Sequence, residues 1–170
     1  MLRVVLIITL AFIALSMTAS ATVLHVPSEY STIQAGIDAS VNGDTVLVAP
    51  GIYHEHLNFS GKGILLKSVE GPATTITRQL DGVPLVTFNT NEGPSSIIQG
   101  FTIFGSTGAG IYCYNASPII QDNIIENNTD DNTFPPVNEG AGISCWQSSA
   151  IVIYCSLYVF KQIWTLYILT

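Results

Sequence analysis

Basic side chains are scarce in this sequence, which has 5 Lys and Arg residues against 12 Asp and Glu residues over 170 positions. The formal net charge is therefore −7 at pH 7. A chain of this charge is repelled by phosphate backbones and by anionic membrane surfaces. The composition argues against nucleic acid as a partner and disfavours electrostatic capture of acidic polysaccharides.

Cysteine is also scarce, with three residues in the chain, Cys113, Cys145 and Cys155. None belongs to a Cys-x-x-Cys motif or to a spacing typical of metal ligands, so nothing in the sequence indicates a zinc site. Cys113 and Cys145 occupy matching positions of a repeat. We expect them to pack over each other as small buried hydrophobes. A disulfide between them is the alternative, because stacked strands would bring them close together.

The apolar run near the N-terminus is too short to span a membrane comfortably. It occupies residues 4–15, follows Arg3, and precedes the small-x-small sequence Ala19-Ser20-Ala21. These features predict a signal peptide of residues 1–21, cleaved after Ala21, and a secreted or cell-surface protein. Without Arg3 the remaining 149 residues (170 − 21) would keep 12 acidic and 4 basic side chains (5 − 1), a net charge of −8.

A repeat of 32 residues organises the second half of the chain. The segment Gly108-Ala-Gly-Ile-Tyr-Cys-Tyr-Asn-Ala-Ser returns as Gly140-Ala-Gly-Ile-Ser-Cys-Trp-Gln-Ser-Ser, with six of ten positions identical. Each β-branched run is too short to bury a face alone, so it needs a matching neighbour above and below. We predict parallel stacking that places Ile111 over Ile143 and Cys113 over Cys145. An antiparallel sandwich is the alternative.

Asparagine and large apolar residues complete this pattern. Asn tolerates left-handed backbone geometry, and its amide can bond to the neighbouring layer of chain. The asparagines expected in these roles are Asn115, Asn123, Asn127 and Asn128. The residues predicted to fill the core are Phe88, Phe101 and Ile103.

Residues 27–41 are predicted to form a helix. Ser31-Thr-Ile-Gln34 has the form of a capping box, Ile33, Ile37 and Val41 recur at helical spacing, and Asn42-Gly43 supplies a stop. At the start of a stack of strands, the apolar face of such a helix would cover a core that otherwise meets water.

Three segments carry a family resemblance: Tyr30-Ser-Thr-Ile-Gln-Ala-Gly-Ile-Asp-Ala, Gly43-Asp-Thr-Val-Leu-Val-Ala-Pro-Gly-Ile-Tyr-His-Glu and Gly61-Lys-Gly-Ile-Leu-Leu-Lys-Ser. In this order they resemble the opening of right-handed parallel β-helix proteins of the pectin lyase-like superfamily, and the first segment of pectin methylesterases. The resemblance covers about residues 26–76. It implies an all-β fold, a right-handed parallel β-helix with a short N-terminal capping helix, here over residues 22–152.

Residues 153–170 depart from this pattern, because they contain no Gly, Asn, Asp or Pro. We expect this apolar tail to be a foreign reading frame or an abrupt truncation of the β-helix. A membrane anchor is the alternative. It would place Lys161 near the middle of the span, at a cost of roughly 3 kcal/mol.

The residues predicted to bind a ligand are aromatic. Tyr114 and Trp146 are equivalent positions of the repeat, and Tyr112 is close by. If these rings face outward they form a platform for sugar rings, and if they face inward they belong to the core. No catalytic residue is predicted, since the carboxylates and basic residues that the resemblance implies for esterases, lyases and hydrolases do not occur in a matching arrangement.

Four acidic residues near the second repeat, Glu126, Asp130, Asp131 and Glu139, are candidates for binding a hard cation. Oxygen ligands from a loop suit Ca²⁺, although a solvated acidic loop has the same composition. No other cofactor is expected.

Three functions are compatible with these features. The first is an exported or cell-surface module that interacts with polysaccharide and has no complete catalytic site. The second is the N-terminal part of a polysaccharide-active enzyme, and the third is a structural or adhesive surface protein. We expect a monomer when the β-helix is intact, and poor solubility when its last layer is left uncovered. Nucleic acid is not expected as a partner, and a membrane is expected only if the tail is an anchor.

Overall fold

The computed structural model describes residues 20–77, 82–129, 142–159 and 162–165 of the chain. These residues are mostly β-structure, arranged in three sheets whose strands run parallel apart from one final pair. The signal peptide predicted over residues 1–21 lies outside the described residues, except for Ser20 and Ala21. No helix in the described part of the chain is long and apolar enough to cross a membrane.

Each sheet is built from strands that are distant in sequence. Sheet 1 contains β1 (Val23–Val26), β2 (Thr45–Val48), β5 (Leu65–Ser68), β8 (Ile97–Gln99), β11 (Ile119–Gln121) and β14 (Ile151–Ile153). Sheet 2 contains β3 (Gly51–Tyr53), β6 (Thr74–Thr77), β9 (Thr102–Phe104), β12 (Ile124–Glu126), β15 (Ser156–Val159) and β16 (Gln162–Thr165). Sheet 3 contains β4 (Leu57–Asn58), β7 (Val86–Phe88), β10 (Ile111–Tyr114) and β13 (Ile143–Trp146).

The chain visits the three sheets in the same order each time. Each strand from β2 to β12 pairs in parallel with the strand three elements further along. We call each run of three consecutive strands, one from each sheet, a layer. The predicted stacking is confirmed, because Ile111 pairs with Ile143 and Cys113 with Cys145 on parallel strands. The antiparallel alternative is therefore wrong for these strands.

The core lies between the three sheets. In sheet 1 the side chains of Val46, Leu66, Ile98 and Ile120 are fully buried at successive paired positions. Phe88, Phe101 and Ile103 are fully buried, as predicted. All of these residues belong to one continuous hydrophobic cluster. Stacking like side chains on like keeps this cluster dry along the sheets, which is the main source of stability for short strands.

Several corners between the sheets contain residues with a left-handed backbone. Asn115 and Asn127 have φ values of 49° and 54°. Asn123 and Asn128 act instead through their amides, which bond to backbone groups of the preceding layer. Both roles predicted for asparagine occur, and they are divided between different residues.

Besides one turn of 3-10 helix (Gly71–Ala73), the described residues contain one α-helix, α1 (Ile33–Ala39), which is shorter than predicted. Its N-cap is Thr32, whose hydroxyl accepts a hydrogen bond from the Ala35 N–H, so the assignment of Ser31 to the capping box is wrong. Residues 27–31 form turns before the helix begins. The helix ends at Ser40, whose extended backbone stops it before Asn42.

The tail takes part in the sheets. β14 pairs with β11 and β15 pairs with β12, both in parallel, and β16 then turns back antiparallel to β15. Residues 160, 161 and 166–170 lie outside the described residues. The described part of the tail is therefore β-structure, although it lacks the turn residues of the earlier layers. The reading-frame hypothesis concerns the gene and stays a prediction.

Candidate functional site

The candidate site is the outer face of sheet 3, opposite the core. Along β10, Ile111 and Cys113 are fully buried in the core, so the alternate residues point to the other side of the sheet. The strand pairing extends this alternation to β4, β7 and β13. The outward residues, which we call the aromatic face, are Asn58, Thr87, Asn89, Tyr112, Tyr114, Ser144 and Trp146.

Tyr114 and Trp146 are neighbours on this face. They are paired positions of β10 and β13, so their Cα atoms are about one strand spacing, ~4.8 Å, apart. Tyr114 is 40% exposed and Trp146 is 44% exposed. Of the two orientations that the sequence left open, the outward one is therefore present for both rings.

The backbone beneath Trp146 is held in place. Its carbonyl accepts hydrogen bonds from the Asn115 N–H at 3.0 Å and from the Ser148 hydroxyl at 3.1 Å. The Ser148 hydroxyl also accepts a bond from the Ala116 N–H in the neighbouring layer. The ring is thus presented by a fixed strand end, which lowers the entropic cost of ordering it on a ligand.

Tyr112 has a different environment from the other two aromatic residues. It is 5% exposed and packs with Ala109, outside the main core. Its ring lies 6.5 Å from the Tyr114 ring, centroid to centroid, with 10° between the planes. Burial raises the pKa of Tyr112, and the neighbouring Tyr114 adds to the increase. Tyr112 therefore supports the Tyr114 ring from the side and offers little surface of its own to a ligand.

Amide side chains continue the aromatic face over β4 and β7. Asn58 on β4 pairs with Thr87 on β7. Asn89 comes directly after the last residue of β7, Phe88, which pairs with Cys113. The side-chain amide of Asn58 donates a 3.5 Å hydrogen bond to the side-chain oxygen (Oδ1) of Asn89. Sequence reasoning missed these two residues, because the first half of the chain shows no identity with the 32-residue repeat from which their register could be read.

This arrangement suits an uncharged polar ligand with apolar faces. None of the seven residues of the aromatic face is charged. Exposed aromatic rings contact the apolar faces of sugars, while amides donate to and accept from hydroxyl groups. Four strands at ~4.8 Å spacing give a surface about 14 Å wide from β4 to β13.

The predicted acidic cluster is described only in part. Glu126 lies on β12 in sheet 2, half-buried, whereas Asp130, Asp131 and Glu139 lie outside the described residues. Within the described ranges, no group of three His, Cys, Asp or Glu side chains is placed to hold a metal ion. The Ca²⁺ site stays a prediction.

Comparisons with known proteins found no matching family model, no matching curated protein and no matching solved structure. Function must therefore be argued from the chain itself.

Proposed function

We propose that the protein is an exported right-handed parallel β-helix, closed by α1 at its N-terminal end, that interacts with polysaccharide through the aromatic face. The fold part of this proposal is supported by the three parallel sheets, which the chain visits in a constant order. It is also supported by the resemblance of residues 26–76 to pectin lyase-like proteins. Export is inferred from the signal-like residues 1–21.

The capping role of α1 is supported by its contacts with the first layers. Ile33 and Ile37 are fully buried, and the helix packs against β1, β2 and β4. A Cβ atom at Gly36 would lie 3.0 Å from a methyl group of Val46, so the absence of a side chain permits this close approach. The helix thus covers apolar side chains of the first two strands of sheet 1.

Charged side chains fix both ends of the helix. The Glu55 carboxylate accepts hydrogen bonds from the N–H groups of Ile33 and Gln34, at 3.0 and 2.9 Å. The Lys62 ammonium donates to the carbonyl groups of Ile37 and Asp38, at 2.7 Å each. An anion at the N-terminus and a cation at the C-terminus both interact favourably with the helix dipole. These bonds attach α1 to the strands that follow it.

The observation that carries the functional proposal is the exposed pair Tyr114 and Trp146 on adjacent strands. A single exposed aromatic residue is common, whereas adjacent exposed rings on one sheet face often mark an interaction site. Here they continue into Asn58 and Asn89, so ring contacts and hydroxyl contacts are available along one direction. The partner that combines both needs is a polysaccharide chain.

The charge of the chain favours neutral polysaccharides over acidic ones. The net charge is −7 for the whole sequence. An acidic polymer is repelled at long range by this charge, and the aromatic face has no cation to compensate it. We therefore expect neutral galactan to bind more tightly than polygalacturonate, with a difference that decreases as salt is added.

The test is affinity electrophoresis of the purified chain in gels that contain each polysaccharide. Changing Trp146→Ala removes one ring from the contact, worth roughly 1.5 kcal/mol, and should weaken binding about tenfold. Tyr114→Ala should act similarly, and the double variant should migrate as in a gel without polysaccharide.

Tyr154→Asn is the matched control, because Tyr154 is 70% exposed at a corner between sheets 1 and 2, away from the aromatic face. It should bind like the unchanged protein. Equal weakening by all three changes, or binding unaffected by the double variant, would contradict the proposed face. Release of reducing or unsaturated ends from pectin would favour the enzyme alternative. If the protein neither binds polysaccharide nor releases such ends, the third function, a structural or adhesive surface protein, would be favoured.

A further inference from the structure

Cys113 and Cys145 form a pair of thiols at one end of sheet 3. They are paired positions on the parallel strands β10 and β13. Both are free cysteines, so the disulfide alternative is absent from this structure. Paired residues on adjacent strands have Cα atoms about 4.8 Å apart, within the 4.4–6.8 Å range of disulfides. The backbone therefore already brings the two sulfur atoms within reach of each other.

The two thiols differ in their access to solvent. Cys113 is fully buried in the core, whereas Cys145 is exposed. Among the described strands, β13 is the last strand of sheet 3 and pairs only with β10. No further described strand of this sheet covers Cys145. A small solute can therefore reach Cys145 but not Cys113.

A hydrogen bond between the thiols makes their chemistry unequal as well. Cys113 donates to Cys145, and this bond lowers the pKa of Cys145. The same bond raises the pKa of Cys113, and burial and the negative charges of Cys145 and Glu92 raise it further. The exposed sulfur is thus the one that more readily becomes a thiolate, which is the nucleophilic form.

We propose that Cys113 and Cys145 are a peroxide-sensitive dithiol site, in which Cys145 is oxidised first and Cys113 then closes a disulfide. The Cys145 thiolate attacks one oxygen of hydrogen peroxide, the O–O bond breaks, and hydroxide leaves, so that Cys145 becomes a sulfenic acid. The Cys113 sulfur then attacks the Cys145 sulfur. The S–O bond breaks, the Cys113 proton passes to the leaving oxygen, and water is released.

The resulting disulfide should be easily reduced. Side-by-side Cβ atoms on parallel strands are spaced by about the strand distance of ~4.8 Å, wider than the 3.5–4.5 Å of relaxed disulfides. β13 must therefore shift towards β10 when the bond forms. A strained disulfide is reduced more readily than a structural one, so glutathione should restore both thiols.

The experiment compares the three cysteines of the purified chain under native conditions. Iodoacetamide should modify Cys145 on the order of tenfold faster than Cys155, a buried thiol that donates to the Ile120 carbonyl. Stoichiometric hydrogen peroxide should then remove two hydrogen atoms from the intact mass, and peptide mapping should find the link between Cys113 and Cys145. Glutathione should reverse this change.

Two variants separate the roles. Cys155→Ser should still form the link, because Cys155 takes no part in it. In Cys113→Val, a dimedone adduct should accumulate on Cys145, since the sulfenic acid has no thiol to attack it. Equal alkylation of Cys145 and Cys155, a link that includes Cys155, or no loss of hydrogen in the unchanged protein would each overturn the proposal, whether or not Cys113→Val folds.

Discussion

The corner between sheets 1 and 2 is formed by a left-handed residue in three successive layers. These residues are Gly100, Asp122 and Tyr154, with φ values of 81°, 55° and 50°. Each follows a strand of sheet 1 at the same paired position. Glycine adopts this geometry freely and Asp at a small cost, whereas a bulky aromatic residue is strained there.

Changing Tyr154→Asn should therefore stabilise the protein. The ring is 70% exposed, so little burial is lost, and relief of the backbone strain should raise the free energy of unfolding by about 1 kcal/mol. Urea unfolding measures this difference. Gly100 occupies the equivalent position two layers earlier, and Gly100→Ala should lower the free energy of unfolding by about 1 kcal/mol. A loss of stability in Tyr154→Asn would show that the contacts of the ring stabilise the fold by more than the backbone strain destabilises it.

Asn123 is a second residue whose role can be measured. Its side chain is buried, accepts a 2.9 Å hydrogen bond from the Phe101 N–H and donates a 3.0 Å bond to the Ile98 carbonyl. Asn123→Leu leaves both backbone groups without these partners, which should cost roughly 2–4 kcal/mol in urea unfolding.

The control for this prediction is Asn127→Gly. Asn127 has a left-handed backbone with φ of 54°, which glycine adopts without strain. We expect a change of well under about 1 kcal/mol. If Asn127→Gly lost as much stability as Asn123→Leu, the side chain of Asn127 would stabilise the fold as well, which would contradict the proposed division of roles between the two asparagines.

At the scale of elements, the turn after α1 depends on the Asp44 carboxylate. One oxygen accepts a 2.8 Å hydrogen bond from the Thr22 N–H and the other accepts a 2.8 Å bond from the Val41 N–H. These two bonds, that from Val41 first, lower the pKa of Asp44 below its usual value of 3.8, and Lys62 adds to the effect. The carboxylate thus ties the start of β1 to the loop that leads into β2.

This shift predicts how stability depends on pH. Because the pKa is lower in the folded state, the contribution of Asp44 is present above pH 3.8 and is lost as the pH falls through the lowered value. Asp44→Asn should be less stable than the unchanged protein at pH 6, and the difference should shrink towards pH 2. Urea unfolding at several pH values measures it.

Asp38→Asn is the matched control, since it removes an exposed carboxylate of α1 that accepts only a surface bond from the Gln34 amide. It leaves the two Asp44 bonds in place. A pH-independent difference between Asp44→Asn and the unchanged protein would mean that the ionised carboxylate is not what stabilises this turn.

The helix also shows how far local sequence signals extend. Its existence and its inward residues, Ile33 and Ile37, follow from their spacing. Its ends do not, because Ser31 and Thr32 both suit an N-cap and the choice depends on contacts from elsewhere in the chain. Glu55, which accepts from the first helical N–H groups, is 22 residues from Ile33 and has no local signature.

At the scale of the whole molecule, one of the two outward columns of side chains on sheet 1 is largely apolar. This column contains the paired residues Val23, Thr45, Leu65, Ile97, Ile119 and Ile151, whereas the other outward column is mostly polar and includes His25, Lys67, Gln99 and Gln121. Val23 and Ile151 at its two ends are 47% and 41% exposed. An exposed apolar column of this kind, together with unpaired strand edges, promotes association between copies.

We therefore expect the isolated chain to be poorly soluble and to elute in a sizing column as associated species. Ile97→Thr and Ile119→Thr, on the outer side, should increase the monomer fraction with little loss of stability. Ile98→Thr, one residue away but fully buried, should cost roughly 2–4 kcal/mol. A monodisperse, salt-tolerant monomer of the unchanged chain would contradict this expectation.

The sequence by itself determined which residues of the two 32-residue repeat copies are neighbours. The 32-residue repeat correctly predicted that Ile111 lies beside Ile143, because stacked strands repeat their side chains at equal positions. The 22-residue spacing that pairs Ile97-Ile98-Gln99 with Ile119-Ile120-Gln121 is also marked by identical residues, but this short match became recognisable as a repeat only in the structure.

Only the tertiary structure decided what each stacked position does. Tyr112 and Tyr114 point to the same side of β10, yet one is buried and the other exposed. Cys113 and Cys145 are repeat-equivalent, yet one lies in the core and the other meets solvent. The physical reason is that a repeat specifies pairing along the stack, whereas exposure depends on what lies across the sheet and beyond its last strand.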